Sequence, residues 1–353
     1  MKNYIKEFLR LKKNLPTIAH ITLNIKCMHR CKTCSYWKIY ENYKDFGMEK
    51  EKIFKIIDDL ISFGIKKFLF VDTEPLLRKD LSEIIKYVKE KNGYVQIVTT
   101  GMNLNEEIAK NLIHSGVDLI KFSIDGFDEL NDFIRGVKGA YKRAIEGIKI
   151  LKKIRGNENK PLIGVITCVS KLNIDKLDLI KKKIEEDTGG VDLHFFGKVI
   201  EIKKEVFENT KWENKKVGAL NLLNENESLS LNYFETKKFL KFENKNNFSR
   251  IINLLDKIFY TKKRKCPSFH QVHIDVEGNL IPCSFLPGIK LGNLKEKSIK
   301  NLWRKNKHLE FLEHLRKKGF PICYEICWKG NIFNIFSGNA SLREFIFKRI
   351  GKF

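Results

Sequence analysis

The chain lacks any apolar run long enough to cross a membrane as a helix. A membrane-spanning helix needs about 20 consecutive apolar residues, and charged residues interrupt every apolar stretch of this sequence well before that length. The first residues, 1–14, are charged throughout and have no apolar centre of the kind found in secretory signals. These absences argue against an integral membrane protein and a secreted one, and they predict a cytoplasmic location.

Acidic residues are scarce relative to basic ones. The sequence has 43 Asp and Glu against 67 Lys and Arg, which gives a formal net charge of +24. Such a field favours an anionic partner and carries no information about the fold. A phosphorylated metabolite or a membrane headgroup fits better than nucleic acid, because the charge is spread along the chain and no recognised RNA-binding or DNA-binding motif is present.

A repeated helix–strand unit organises the first two hundred residues. An amphipathic stretch over 49–63 stops at Gly64 and is followed by an apolar strand over 68–71. The same pattern predicts further strands at 95–99, 119–122, 162–169 and 191–196. With the apolar run at 18–25, six strands alternate with helices, which predicts an α/β fold with a parallel sheet. Periodicity alone does not decide between a barrel and a doubly wound sheet.

Polar and reactive residues follow the predicted strands. In either architecture, ligands collect at the carboxyl ends of parallel strands. We therefore expect residues from several strand ends to converge on one site: Cys27, 72–74, Thr100, Ser123 and the end of 191–196.

Three cysteines stand directly after the first apolar run, at Cys27, Cys31 and Cys34. Three thiolates at this spacing can hold three corners of one iron–sulfur cluster and leave the fourth iron open to a small molecule. The alternative is a zinc site in which His29 supplies the fourth ligand. Cys168, which stands alone, is predicted to be a small buried residue.

The C-x3-C-x2-C spacing and three later motifs resemble the radical S-adenosylmethionine (radical SAM) superfamily. Residues 72–81 resemble its Gly-Gly-Glu-Pro segment with a Leu-Leu-Arg-x-Asp tail, and 123–126 and 132–136 resemble its Ser-x-Asp-Gly and Arg-Gly pair. The resemblance implies a partial (βα)6 TIM-type barrel. It also implies a [4Fe-4S] cluster on the three cysteines, with SAM chelated to the open iron.

The resemblance further implies which side chains meet SAM. They are polar residues at the strand ends: Thr73, Glu74, Thr100, Ser123 and Arg135. The chain departs from the family where Asp72 and Thr73 replace the two glycines. It also departs at Thr33, where an aromatic residue is common, although Tyr36 and Trp37 follow closely.

A second group of cysteines lies near the carboxyl terminus. Between the first two of them, residues 273–283 read as a strand pair that turns at Gly278. This pattern resembles the SPASM and twitch extensions of radical SAM enzymes and implies one auxiliary [4Fe-4S] cluster. A closed zinc site with the same four thiolates is the alternative. The four ligands in either case are Cys266, Cys283, Cys323 and Cys327.

These observations divide the chain into five segments. The core barrel is predicted at 18–200, a polar helical bridge at 201–263 and the auxiliary-cluster domain at 264–330. Residues 1–17 and 331–353 each form a basic amphipathic pattern. Such segments can lie on an anionic bilayer, but packing against the protein is the expectation we favour.

The resemblance implies reductive chemistry. An electron from a donor such as flavodoxin or ferredoxin enters the cluster, SAM is cleaved to a 5′-deoxyadenosyl radical, and the radical takes hydrogen from a substrate. We expect a small anionic or lipid- or saccharide-linked substrate. Asp125, His194 and Lys198 lie near strand ends and are candidates for acting on it.

Two alternative functions remain open at this point. A peptide or protein maturase is one, although the short segment 1–16 leaves little room for a peptide-binding domain. A zinc-stabilised nucleic-acid-binding protein is the alternative from another class.

Overall fold

The structure is a computed structural model that describes residues 15–34, 36–39, 47–199, 271–282 and 286–318. It also describes positions 10, 41, 43, 209–211 and 284, and scattered positions within 229–242. Most of the predicted bridge at 201–263, nearly all of 1–14 and the whole of 331–353 lie outside the described residues.

Nine strands, nine α-helices and two short 3-10 helices, Pro75–Leu77 and Ile174–Lys176, are assigned in the described part of the chain. The strands are β1 Ile18–Ile21, β2 Lys67–Phe70, β3 Tyr94–Thr99, β4 Leu119–Ser123, β5 Leu162–Val169, β6 Leu193–Lys198, β7 Gln271–Ile274, β8 Asn279–Ile281 and β9 Gly292–Asn293. The helices are α1 Tyr36–Ile39, α2 Lys50–Ser62, α3 Leu81–Glu90, α4 Glu106–His114, α5 Asp128–Arg135, α6 Ala140–Arg155, α7 Leu177–Thr188, α8 Ile299–Leu302 and α9 Asn306–Lys318.

The six predicted strands pair in parallel in the order in which they occur in the chain. The sheet runs β6-β5-β4-β3-β2-β1-β7-β8-β9, and each of the first six strands begins or ends within two residues of its predicted bounds. A doubly wound sheet reverses its strand order at a switch point. No reversal occurs between β1 and β6, so the winding is that of a barrel. The predicted α/β fold with six parallel strands is confirmed.

The two faces of the sheet differ in exposure. Side chains that face the helices, such as Ile21 and Phe70, are fully buried in the main apolar core. Side chains of the opposite face, including His20, Val98 and Ile166, remain partly exposed. Because successive side chains of a strand point to opposite faces, this alternation separates a sealed outer layer from an accessible interior.

The hairpin predicted around Gly278 is present and joins the barrel sheet directly. β7 pairs in parallel with the free edge of β1, in a register that sets Ile18 opposite Gln271 and Ile21 opposite Ile274. β8 returns antiparallel to β7, and Gly278 takes a positive φ of 84° in the turn, where a glycine has no Cβ to clash. β1 is therefore hydrogen-bonded on both edges.

Arg78 ties together three loops at the carboxyl end of the sheet. Its Nη1 donates to the carbonyl oxygens of Leu23 at 2.8 Å and Met48 at 2.9 Å. Its Nε and Nη2 donate to the two carboxylate oxygens of Asp80 at 2.8 and 2.6 Å. A bidentate pair of this kind fixes orientation as well as charge. The loops after β1, after β2 and before α2 are thus held at fixed relative positions.

We expect Arg78→Met to destabilise the fold by about 3 kcal/mol, because it leaves a half-buried carboxylate and two carbonyl groups without their donor. Arg143→Met is the matched control, since Arg143 meets Glu146 in an exposed pair worth about 0–1 kcal/mol. Chemical denaturation of the anaerobically purified proteins measures the free energy of unfolding of both variants. Equal losses of stability in the two variants would contradict this account of Arg78.

Candidate active site

The loop that follows β1 carries the first three cysteines and is anchored to helix α5. The amide of Arg30 donates to the carbonyl of Arg135 at 3.1 Å, and the amide of Lys32 donates to the carbonyl of Ile134 at 2.8 Å. Within the loop, Cys31 is buried, whereas Cys27 and Cys34 are partly exposed. Because α5 follows β4, two separate strand ends fix the position of these thiols.

A guanidinium lies beside the thiols. Burial raises the pKa of Cys27 to about 11 and that of Cys34 to about 12, and it raises the pKa of Cys31 as well. The positive charge of Arg135 acts on all three thiols in the opposite direction. Arg135 is held by an ion pair with the buried carboxylate of Asp125 at 3.0 Å. A fixed cation here offsets the cost of deprotonating three buried thiols.

His29 is neutral, and the direction of its ring is set by Arg135. The guanidinium Nε donates to His29 Nδ1 at 3.1 Å, so the proton of the neutral ring is on Nε2. Burial, assisted by the charge of Arg135, lowers the pKa of His29 to about 3. Nε2 is buried and has no hydrogen-bond partner. The loop therefore holds an unused N–H donor.

This donor set fits an iron–sulfur cluster better than it fits zinc. Three thiols, a compensating cation and an unpartnered N–H suit a buried anionic cluster, whose sulfur atoms accept hydrogen bonds. The zinc alternative required His29 as fourth ligand, but one ring nitrogen accepts from Arg135 and the other carries the proton. Among the described residues, no three His, Cys, Asp or Glu side chains are placed to hold a single metal ion.

Glu74 and Thr100 form one hydrogen-bonded unit. The Glu74 side chain is fully buried, and its Oε1 accepts from the amide of Leu76 at 3.0 Å and from Thr99 Oγ1 at 2.8 Å. Its Oε2 accepts from the amide and the hydroxyl of Thr100 at 2.7 and 2.6 Å. These four bonds use the acceptor capacity of a carboxylate. The side chain therefore positions the loops after β2 and β3.

Asn24 is a positioning residue that the sequence motifs did not reveal. It is fully buried, its Nδ2 donates to the carbonyl of Glu74 at 2.9 Å, and its carbonyl accepts from Thr73 Oγ1 at 2.8 Å. Its Oδ1 accepts from the amide of Lys26 at 2.8 Å, next to the first cysteine. The signal was an amide side chain inside an apolar run, because a buried amide needs partners.

The candidate acid–base residues are engaged within the protein. Asp125 pairs with Arg135 and accepts from the amide of Cys168 at 2.7 Å. His194 lies 2.9 Å from Thr167 Oγ1 and its ring stacks on Phe196. These contacts use both carboxylate oxygens of Asp125 and Nε2 of His194.

The remaining predicted residues differ in their surroundings. Ser123 and Lys198 are the last residues of β4 and β6, and Ser123 is partly exposed on the interior face. Tyr36 packs against Ile25 and Val276. Trp37 Nε1 donates to the carbonyl of Cys31 at 3.3 Å.

Cys168 was predicted to be buried, and that prediction is wrong. The residue is partly exposed. The reason is its position on β5, where it shares the interior face with Ile166, which is also partly exposed.

Asp72, which replaces a family glycine, is linked to the C-terminal hairpin. Its φ of 78° is left-handed, a conformation that costs about 1 kcal/mol for a residue with a Cβ. Its Oδ2 accepts from Thr22 Oγ1 at 2.8 Å and from Ser284 Oγ at 3.0 Å. Burial raises the pKa of Asp72 to about 6, and the two hydroxyl groups oppose that shift.

The four C-terminal cysteines, Cys266, Cys283, Cys323 and Cys327, lie outside the described residues. The residue that follows Cys283 is described and lies at the mouth of the barrel. Besides its bond to Asp72, Ser284 accepts from the hydroxyl of Tyr36 through its carbonyl at 2.8 Å. The chain beside Cys283 therefore meets the loops that carry the first cysteine group.

Comparison with known families agrees with this geometry. A model of the radical SAM superfamily matches residues 21–184, which include the three cysteines, Glu74 and Arg135, and a model of the SPASM iron–sulfur cluster-binding domain matches residues 266–329. Residues 21–184 thus form a radical SAM domain, and residues 266–329 form a SPASM domain. Radical SAM enzymes bind a [4Fe-4S] cluster and SAM, and SPASM domains bind auxiliary iron–sulfur clusters.

Two curated relatives each resemble part of this chain. One is the Fe-coproporphyrin III synthase of Methanosarcina barkeri, 33% identical over 168 residues, which are 46% of this chain and 39% of the relative. The other is the PqqA peptide cyclase of Granulibacter bethesdensis, 30% identical over 129 residues, which are 35% of this chain and 34% of the relative. The chain thus spans less than half the length of these curated relatives.

A solved structure extends the likeness of the fold. The structure of anSMEcpe with bound AdoMet and the Cp18Cys peptide superposes with a TM-score of 0.64 at 17% identity, covering 95% of this chain and 100% of that one. The partial barrel expected from the motifs is therefore confirmed. In the part of the chain that the structure describes, no helix has the length and apolar character needed to cross a bilayer.

Gly136→Ala should displace the cysteine loop. A Cβ at Gly136 would lie 2.3 Å from the carbonyl oxygen of Arg30, and we expect overpacking to cost about 1–3 kcal/mol. Gly139→Ala is the matched control, because Gly139 has a similar φ, 79° against 68°, but a Cβ there would have no neighbour within 4 Å. The measurement is the electron paramagnetic resonance signal of the reduced protein and its change when SAM is added. This signal should weaken in Gly136→Ala alone. Equal signals in both variants would contradict the contact.

Asp72→Asn should stabilise the protein at neutral pH. A carboxyl whose pKa rises from 3.8 to about 6 on folding favours the folded state below its unfolded pKa, and this contribution is lost as the pH rises through about 6. An amide does not undergo that loss. We expect the melting temperature of the variant to exceed that of the wild type by about 3 °C near pH 8, and the gain to shrink towards pH 5.

The control for this measurement is Asp178→Asn, on the exposed side of α7. A gain in Asp72→Asn that is independent of pH would show that relief of backbone strain, rather than the carboxyl charge, accounts for the effect.

Proposed function

We propose that this chain is a SAM-dependent radical enzyme that removes a hydrogen atom from a substrate held at the barrel mouth. The observation that carries the proposal is the cysteine loop, in which three thiols lie with Arg135 and the unpartnered N–H of His29. When bound, the cluster supplies the electron that cleaves SAM to methionine and a 5′-deoxyadenosyl radical.

The chain's own residues would bind the cluster and SAM, hold the surrounding loops in place and neutralise the charge of the cluster. Cys27, Cys31 and Cys34 hold the cluster, and Arg135 balances its negative charge. The Glu74 unit keeps the loops after β2 and β3 in place through its four hydrogen bonds. Thr73, Thr100 and Ser123 are the proposed contacts to SAM, because all three lie at strand ends on the same rim.

The C-terminal cysteines are proposed to hold one auxiliary [4Fe-4S] cluster. Support comes from the SPASM model over 266–329 and from Ser284, which places the chain beside Cys283 at the barrel mouth. The proposed division of the chain keeps the core at 18–200 and this domain at 264–330. Radical SAM enzymes need a one-electron donor, and we propose flavodoxin or ferredoxin for this one.

A small anionic metabolite is the substrate class that we favour. The net charge of +24 supports it, as does the relative named Fe-coproporphyrin III synthase. A peptide or protein is the second candidate, supported by the relative named PqqA peptide cyclase and by the peptide-bound structure with the same fold.

Iron, sulfide and zinc content, together with paramagnetic resonance before and after SAM is added under reduction, tests the proposed chemistry. We expect about eight irons in the wild type and about four in the Cys27→Ala/Cys31→Ala/Cys34→Ala variant, with a SAM-dependent signal in the wild type alone. Cys168→Ala is the matched control. It should keep the iron content and the SAM-dependent signal of the wild type, because Cys168 is not among the proposed ligands. Stoichiometric zinc without a response to SAM would overturn the proposal.

Formation of 5′-deoxyadenosine separates the two substrate classes. SAM is incubated with the reduced enzyme and either a carboxylate metabolite mixture or a peptide mixture. Enhanced 5′-deoxyadenosine formation with the metabolites supports the first class, and enhancement with the peptides supports the maturase.

A further inference from the structure

The outer side of the cysteine loop carries two cation–aromatic pairs. The guanidinium carbon of Arg30 lies 5.4 Å from the centroid of the Trp37 ring, and Lys32 Nζ lies 4.4 Å from that of Phe133. Arg30 is exposed and Lys32 is half-buried, whereas Cys31, which stands between them in the chain, is buried. The loop thus keeps a thiol inside the protein and presents two cations to solvent. We call these four side chains, Arg30, Lys32, Trp37 and Phe133, the cation–aromatic surface.

This surface is bonded to the backbone of the cysteines themselves. Arg30 Nη1 donates to the carbonyl of Cys27 at 2.8 Å and to that of His29 at 3.0 Å. Trp37 Nε1 donates to the carbonyl of Cys31 at 3.3 Å. Two side chains of the surface are therefore one hydrogen bond away from two of the proposed cluster ligands. A protein that sits here contacts the residues that hold the cluster.

The cation–aromatic surface is apolar as well as basic, and its parts are held together. Phe133 on α5 is 55% exposed. The amides of Arg30 and Lys32 donate to carbonyls of α5, so the loop and the helix that carries Phe133 keep a fixed relation. Aromatic residues and arginine are enriched in protein interfaces, and a surface that is already ordered pays little entropy when a partner binds.

The charges around this surface favour an acidic partner. Residues 26–41 include four basic residues and one acidic residue. On α5 the carboxylate of Asp132 accepts from two backbone amides. Asp128 and Glu129 are exposed in the first turn of α5, and Glu129 lies one turn before Phe133. The surface is thus basic on the side of the cysteine loop and has an acidic border on the side of the helix.

We propose that the cation–aromatic surface docks an acidic one-electron carrier protein, which reduces the cluster at the first cysteine group. The inference rests on the proposed function, since the electron is needed for that reaction. The carrier loses one electron and the cluster gains it, and no bond forms between the two proteins. Charge complementarity selects this occupant. A second copy of the chain carries the same net charge of +24 and is disfavoured by repulsion.

Binding of oxidised flavodoxin tests the surface without electron transfer. Iron-loaded protein is titrated with it in a calorimeter at low ionic strength. We expect Lys32→Glu to weaken the affinity about three- to tenfold and Glu129→Gln to strengthen it, because the first removes a complementary charge and the second a repulsive one. The matched control is Lys149→Glu, the same change of charge at an exposed position of α6, which should keep the affinity of the wild type.

Two results of this titration would overturn the inference. One is an equal affinity of Lys32→Glu and Lys149→Glu for flavodoxin. The other is an absence of binding by the wild type.

Stopped-flow reduction gives a second readout. Flavodoxin hydroquinone should reduce the cluster more slowly in Lys32→Glu than in the wild type, and added salt should slow the wild type towards the variant, because salt screens exposed charges. Photoreduced deazariboflavin, a small uncharged reductant, should reduce both proteins at the same rate. Equal slowing of Lys32→Glu with both reductants would assign the effect to the cluster itself and overturn the docking surface.

The small reductant also separates this inference from the proposed function. A wild type that gives the SAM-dependent signal with deazariboflavin but is not reduced by flavodoxin would contradict the docking surface and leave the proposed function intact. A wild type that gives no SAM-dependent signal with either reductant would contradict the proposed function.

Discussion

The site depends on one guanidinium. Arg135 forms an ion pair with Asp125 below it, donates to His29 within the cysteine loop, and through its carbonyl accepts from the amide of Arg30. Its charge opposes the burial that raises the pKa values of the three thiols. The position of the cysteine loop and the electrostatics of its three thiols are therefore set by the same residue. A buried cation in an ion pair is stable only while its partner carboxylate remains, so Asp125 acts on the cysteines indirectly.

The two faces of the sheet carry different kinds of side chain. Its outer face is sealed against the helices by apolar side chains, whereas its inner face keeps polar and partly exposed ones. The four hydrogen bonds of Glu74 and the amide of Asn24 connect loops from neighbouring strands above that interior. The site can therefore carry strained or charged residues such as Asp72 without involving the apolar core.

Much of this arrangement could be predicted from the sequence, because glycine stops and apolar periodicity locate the six strands and parallel strands share a carboxyl end. The hairpin at Gly278 was predicted in the same way. The side chains of the interior face could not be predicted in this way. Lys121 and His20 interrupt apolar runs singly, and a single polar residue in a strand gives no sign of its partners across a barrel. Cys168 was assigned to the wrong environment for that reason, and the pairing of β7 with β1 involves residues more than 250 positions apart.

The parallel pairing of β7 with β1 makes one strand the support of both the first cysteine loop and the hairpin that precedes Cys283. The loop of Cys27 leaves the carboxyl end of β1, and the hairpin that leads to Cys283 begins from the strand hydrogen-bonded beside it. Neighbouring strands are held about 4.8 Å apart by their ladder. The spacing between the loop of Cys27 and this hairpin is thus fixed by backbone geometry rather than by a linker, and any motion of one relative to the other would require ladder hydrogen bonds to break.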